Sequence, residues 1–268
     1  MSSSKQHSSE VFRFAAFSLR QDRCAMKVGT DAVLLGAWLP LPEASNRILD
    51  IGTGTGVLAL LAAQRAPLAQ VVGVEIEAEA AVQAAENAAA SPFAERVKIL
   101  AQSIQDYAAS RPELFDAIVC NPPFFSGGVL SEELGRQTAR HTVKLSHQAL
   151  LRAVQQLLAP KGVFCLVLPK LEGLRFIEVA AAAQLYPVQQ LWLRPRAGEP
   201  VHRLLLAFSR QVVTSSQGST ASTHLREPQT KVEQETNGVH ELVQRATDGN
   251  WTEEYLSLVG PYYATVPS

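Results

Sequence analysis

The stretch Asn46-Arg47-Ile48-Leu49-Asp50-Ile51-Gly52-Thr53-Gly54-Thr55-Gly56-Val57-Leu58 decides how this chain folds. Its apolar first half predicts a buried strand, and three alternating glycines then let the backbone turn tightly into an apolar helix, Leu58 to Arg65. Strand, glycine turn and helix in that order begin a doubly wound α/β fold. Gln70 to Glu75 is a second strand that ends in an acid about 20 residues beyond the turn, where a carboxylate can accept both ribose hydroxyls of an adenosine.

Downstream the alternation continues. Ala78 to Ala90 predicts an alanine-rich helix, Arg96 to Leu100 a third strand, and Phe115 to Cys120 a fourth. Leu145 to Leu158 is an amphipathic helix, Gly162 to Leu168 a fifth strand, and Leu171 to Gln184 another helix. Val188 to Leu193 and His202 to Phe208 close the series as an antiparallel hairpin. The expectation is a mostly parallel seven-stranded sheet with helices on both faces and an antiparallel terminal hairpin.

The turn carries Gly-x-Gly-x-Gly, with Val57 where dinucleotide-binding turns place their third glycine. A pyrophosphate needs that clearance; a nucleoside without phosphates does not. S-adenosylmethionine is the common ligand of that kind. Gly52, Gly54 and Gly56 then allow close approach, Glu75 holds the ribose, and Asp50 meets the ligand's ammonium end or serves as a turn cap. Ser103, with Asp106, sits where the adenine ring would end, and either residue can equally cap a helix.

The fourth strand stops at Asn121-Pro122-Pro123-Phe124-Phe125, because neither proline can donate to a ladder. Asn121 therefore stands at a carboxyl end of the sheet, where open α/β folds bind ligands. Its side-chain oxygen and the Pro122 carbonyl can each accept an N–H from a planar amino group, with Phe124 stacked on the plane. Taken alone, Asn-Pro is also an ordinary turn signal.

The chain has 268 residues, 47% of them hydrophobic, and a net charge of -1, so no global basic field marks a nucleic-acid binder. Basic charge gathers locally. Arg13, Arg20, Arg23 and Lys27 outnumber Asp22 in an aromatic-rich front end, and Arg136, Arg140, His141 and Lys144 follow a small-residue loop beyond Phe125. Either group can meet phosphates or remain a solvated edge. Thr30 or Asp31 is expected to cap a helix running to Leu39, and both can line a pocket.

Cys24, Cys120 and Cys165 lack metal-ligand spacing and predict buried thiols in a reducing compartment, with no metal. No window has the apolar length of a membrane span, and the polar first residues do not form a signal peptide. A cytoplasmic protein is expected, with a monomer favoured. Its organisation is expected to be a disordered 1–10, a substrate-facing segment 11–45, a cofactor domain 46–210, a polar and disordered insertion 211–240, and a docked tail 241–268. In that tail Asn250 is expected to cap a short helix.

Asp50 to Gly56 with Glu75 and Asn121-Pro122-Pro123-Phe124 resembles the class I S-adenosylmethionine-dependent methyltransferases that modify amino nitrogens. Phe12-Arg13-Phe14, Gln21 to Asp31, Ala139-Arg140-His141-Thr142 and the Arg203 to Arg210 strand are similar to the bacterial tRNA1(Val) (adenine(37)-N6)-methyltransferase family. The similarity spans roughly Val11 to Arg210, with a faint continuation in the last twenty residues. It implies a Rossmann-like methyltransferase fold, S-adenosylmethionine as cofactor, and a tRNA adenine beside the anticodon as acceptor. It also implies Asn121, Pro122 and Phe124 as the catalytic group, with Arg23, Lys27, Thr30, Asp31, Phe125, Arg140 and His141 toward the substrate. Guanine N2 of rRNA and a protein glutamine amide are the neighbouring acceptors that Asn-Pro-Pro and an aromatic ring would also suit. A nicotinamide-dependent oxidoreductase and a binding module without chemistry are the more distant alternatives.

Overall fold

A computed structural model describes residues 10–42, 45–122, 145–211 and 238–266. In chain order the elements are β1 (Val11–Arg13), β2 (Ser18–Arg20), α1 (Thr30–Trp38), β3 (Arg47–Ile51), α2 (Val57–Arg65), β4 (Gln70–Glu75), α3 (Ala78–Ala89), β5 (Val97–Ala101), α4 (Ile104–Ala109) and β6 (Phe115–Cys120). They continue with α5 (His147–Leu157), β7 (Leu158–Pro169), α6 (Lys170–Ala180), β8 (Tyr186–Arg196), β9 (Arg203–Ser209), β10 (Val239–Arg245) and α7 (Glu253–Val259).

Among the described residues eight strands form one sheet in the order β10-β8-β9-β7-β6-β3-β4-β5, and of these β9 alone runs against its neighbours. The expected seven strands thus become eight. The addition, β10, pairs in parallel with β8, Leu242 lying beside Leu193 and Arg245 beside Arg196. The front end forms a separate two-stranded hairpin, Val11 opposite Arg20.

The strand order reverses between β3 and β6. From β3 the chain proceeds outward through β4 and β5, whereas β6 and β7 lie on its other side. Ligand crevices open at such switch points, outside the carboxyl ends of the strands. Ile51 is register-paired with Cys120, so the glycine turn and Asn121 leave the sheet side by side.

The runs that read as doubly covered strands are buried as expected. Ile48, Leu49, Ala117, Ile118, Val119, Phe164, Cys165 and Leu166 are all 0% exposed. One face of the sheet carries a core built with α1, α2 and α7, including Leu34, Leu60 and Tyr255; the other packs against α4, α5 and α6 through Ile104, Leu151 and Phe176. Burying apolar area on both faces, at about 25 cal/mol per Å², drives the three-layer arrangement.

Boundary differences follow from local chemistry. Gly29, not Thr30 or Asp31, is the N-cap of α1 and supplies no side-chain bond. At α7 the Thr252 hydroxyl accepts from the Tyr255 amide, so Thr252 takes the capping role expected of Asn250, whose amide nitrogens instead donate to Asp248. β7 begins at Leu158, and the helix expected to reach Gln184 ends at Ala180 before a short 3-10 turn.

Candidate active site

The glycine turn is shaped by backbone conformation first. Gly52, Gly54 and Gly56 have φ of 70°, 53° and 86°, a left-handed run that side chains resist. The amides of Gly52 and Thr53 donate to the Val74 carbonyl at 2.8 and 3.1 Å, tying the turn to the end of β4. β4 delivers Glu75 there. Its Oε2 accepts from the Gly54 amide at 2.8 Å and its Oε1 from the Glu77 amide at 3.0 Å. The carboxylate is thereby fixed in orientation, and each oxygen keeps a further lone pair for a hydroxyl.

Asp50 lies under the turn and is 0% exposed. Thr53 Oγ1 donates to its Oδ2 at 2.6 Å and the Ala59 amide at 3.1 Å, so the turn-cap reading holds for that oxygen. Oδ1 has no partner among the described residues. Burial pushes the carboxyl up to about 7; Thr53 and Ala59 oppose this, and the nearby Glu75 charge adds to it.

At the end of β6, the side-chain oxygen Oδ1 of Asn121 is likewise buried with no partner among the described residues. A buried amide oxygen without a donor is costly, about 1–3 kcal/mol, and its placement suits an incoming N–H. Pro122 follows directly and is half-buried. Phe124, Phe125, Arg140 and His141 lie outside the described residues.

Ser103 is a helix cap: its hydroxyl donates to Asp106 Oδ2 at 2.6 Å and accepts from the Asp106 amide at 3.0 Å. Both side chains are therefore engaged with each other at the start of α4. Directly after Glu75, Ile76 is 45% exposed, an aliphatic residue that the sequence reading did not single out and that only its position beside this acid marks.

The front end proves to be clamped on α3. Asn87, 3% exposed, accepts from the Arg20 amide at 2.8 Å and donates from Nδ2 to the carbonyls of Arg20 and Thr55, each at 2.9 Å. One side chain thus joins the front hairpin to the glycine turn. Gln83 accepts from the Arg23 amide at 3.0 Å and donates to Asp22 at 2.9 Å, while Arg23 pairs through both terminal nitrogens with Glu86 at 3.1 Å. Burial first, then the charges of Glu75 and Asp22, push the Cys24 thiol up to about 11.

Arg23 pairs with Glu86 at 3.1 Å and Arg20 with Asp22 at 3.5 Å, both in partly exposed ion pairs. Asp31 accepts from Arg203 Nε at 2.8 Å across the sheet end. Thr30 and Lys27 are exposed. Among the described residues no group of three or more His, Cys, Asp or Glu side chains could hold a metal ion, and no helix is long and apolar enough to cross a membrane.

The site geometry agrees with what the chain is similar to. Residues 24–178 match the methyltransferase small domain family. A tRNA1(Val) (adenine(37)-N6)-methyltransferase from Yersinia pestis is 40% identical over 253 residues, covering 94% of this chain and 93% of its own. One from Proteus mirabilis matches to the same extent. Among solved structures, a predicted O-methyltransferase from Agrobacterium tumefaciens superposes with a TM-score of 0.59 at 18% identity, covering 88% of this chain and 98% of that one. TYW2 from Pyrococcus horikoshii, in complex with MeSAdo, superposes with a TM-score of 0.52 at 13% identity, covering 76% and 74%. At these identities the solved structures speak for the fold alone.

Proposed function

Because the chain belongs to the tRNA1(Val) (adenine(37)-N6)-methyltransferase family, we propose that it methylates N6 of adenine 37 in that tRNA and that Asn121 is its central catalytic residue. The observation that carries the residue assignment is the buried Asn121 oxygen at the switch point, beside the glycine turn and without a partner among the described residues. S-adenosylmethionine supplies the electrophilic methyl group. Asp50 Oδ1, Glu75 and the backbone of Gly52, Gly54 and Gly56 are the groups that would hold it, and Ile76 would flank its ring. Ser103 is engaged in its helix cap and would contribute through the backbone that it fixes.

An adenine amino group is a weak nucleophile because its lone pair is delocalised into the ring. Asn121 Oδ1 and the Pro122 carbonyl accept its two hydrogens, favour a pyramidal nitrogen, and stabilise the positive charge that grows during attack. Phe124 and Phe125 are proposed to replace the stacking that the base loses on leaving the anticodon loop. Arg140, His141, Lys27 and Thr30 are proposed to face the RNA. With tRNA as substrate, the protein works in the cytoplasm and needs no metal ion for this reaction.

The test is transfer from labelled S-adenosylmethionine to unmodified tRNA, followed by nucleoside digestion. N6-methyladenosine confined to a valine tRNA is expected. Label appearing in rRNA as methylguanosine, or in a protein amide, would replace the acceptor and keep the cofactor site.

A further inference from the structure

Two of the four front-end cations pair with acids, Arg23 with Glu86 and Arg20 with Asp22, and a tRNA extends well beyond the surface that Lys27 and Thr30 can cover. The far side of the sheet offers a ledge. β9 is antiparallel to both β7 and β8, and β10 follows β8 in parallel, so the carboxyl ends of β8 and β10 reach the same rim as those of β6 and β7. Arg196 and Arg245 are register partners at that rim, and Lys170 opens α6 directly after β7.

Along β8, Leu191 and Leu193 are buried while Trp192, Arg194 and Arg196 alternate onto the opposite face and remain at least partly exposed. Lys170 Nζ stands 5.9 Å from the Trp192 ring centroid, and the Arg245 guanidinium lies 3.7 Å over the Trp251 ring. The acids nearby are Glu241, which pairs with Arg194 at 3.0 Å, Glu199 on the β8–β9 turn, Glu172 in the first turn of α6, which pairs with Arg175, Asp31, which pairs with Arg203 at 2.8 Å, and Asp248 on the turn after β10, whose carboxylate accepts from Asn250. Arg196 is exposed and makes no ion pair among the described residues. Cations along a rim, interleaved with tryptophan, complement the charge and the flat bases of a nucleic acid.

Resting on the tRNA reading above, we propose that this ledge, with Lys170, Arg196 and Arg245 as its cations and Trp192 as its aromatic element, docks the phosphate backbone of the substrate RNA. Three strand spacings separate β8 from β6, about 14 Å at roughly 4.8 Å each. A stem lying on the ledge therefore reaches the rim within one duplex width of Asn121. Arg194 orders the ledge through Glu241 and through the Glu199 carbonyl, to which its Nη1 donates at 2.8 Å.

The test is binding of unmodified tRNA by the full chain across a salt series, with cofactor binding measured separately. The double variant Lys170→Glu with Arg196→Glu is expected to weaken tRNA binding tenfold or more and to flatten the slope of log affinity against log salt by about 2. Affinity for S-adenosylmethionine should be unchanged. Lys161→Glu, an exposed cation at the opposite end of β7, serves as the control and should leave tRNA affinity within about twofold. Unchanged affinity and slope in the double variant, or an equal loss in Lys161→Glu, would overturn the ledge. A wild-type protein that binds tRNA through the ledge yet methylates another acceptor would overturn the acceptor reading instead.

Discussion

A polar oxygen shut away from water without a donor raises the free energy of a fold, and among the described residues the ends of β3 and β6 each carry one, on Asp50 and Asn121. Each is expected to be relieved by a bound group. Asn121→Ala should lower kcat at least ~10²-fold while leaving cofactor affinity nearly intact, because the amide oxygen matters most as charge develops on the amino nitrogen. Wild-type turnover in that variant, measured under saturating cofactor and tRNA, would remove Asn121 from the chemistry. Asp50 carries a pH signature. Burial raises its carboxyl to about 7 from an ordinary 3.8, so the folded chain binds this proton more tightly than the unfolded chain. Its contribution to stability is complete below about pH 4 and is lost as pH rises toward 7, a span worth on the order of 4 kcal/mol. Asp50→Asn should flatten that fall in denaturant titrations. If the carboxylate meets the cofactor's ammonium, binding at pH 6 must expel a proton, seen as a buffer-dependent heat in calorimetry. A heat independent of the buffer's ionisation enthalpy would place the ammonium elsewhere.

Among the elements, α3 illustrates what a sequence conceals. Its alanine-rich pattern predicted a helix correctly, but nothing in the pattern marks Asn87 as the residue that joins Arg20 to Thr55. Likewise the pairing of Arg23 with Glu86 spans 63 residues of sequence and leaves no local sign. Charge pairs between distant elements become visible only once topology is known. By contrast Gly52 to Gly56, Glu75 and Asn121 were legible, since backbone-limited turns and strand ends write themselves into local residue types. β10 escaped notice for the opposite reason: Val-His-Glu-Leu-Val-Gln-Arg at 239–245 mixes charge into a half-exposed strand, so no apolar run announces it. Asn87→Ala should leave the Arg20 amide and the carbonyls of Arg20 and Thr55 without partners. Cofactor affinity should fall about tenfold and amide exchange should accelerate across Arg20 to Val28, while kcat at saturating cofactor stays within about twofold. Unchanged exchange in that segment would mean the clamp does not hold it.

For the molecule as a whole, the two apolar layers on either side of the sheet are distinct in composition and in their link to the site. α7 and β10 complete the layer that also holds α1 and α2, with Tyr255 and Leu242 each 1% exposed. Leu242→Ala should destabilise the fold by about 2–5 kcal/mol, as a buried leucine truncation does. A drop in Tm without loss of kcat well below the transition is the expected pair of results. A Tm within experimental error of wild type would mean that β10 is not part of the cooperative unit.

The reversed direction of β9 has an engineering consequence. Because β9 turns back, the Ala197 to His202 connection opens on the same rim as Asn121, the proposed acceptor side, while the glycine turn is anchored three strands away at β3 and β4. Loop grafts between Ala197 and Val201 can therefore be screened for new RNA acceptors on an unaltered methyl-donor site, which makes the hairpin tip a natural handle for retargeting.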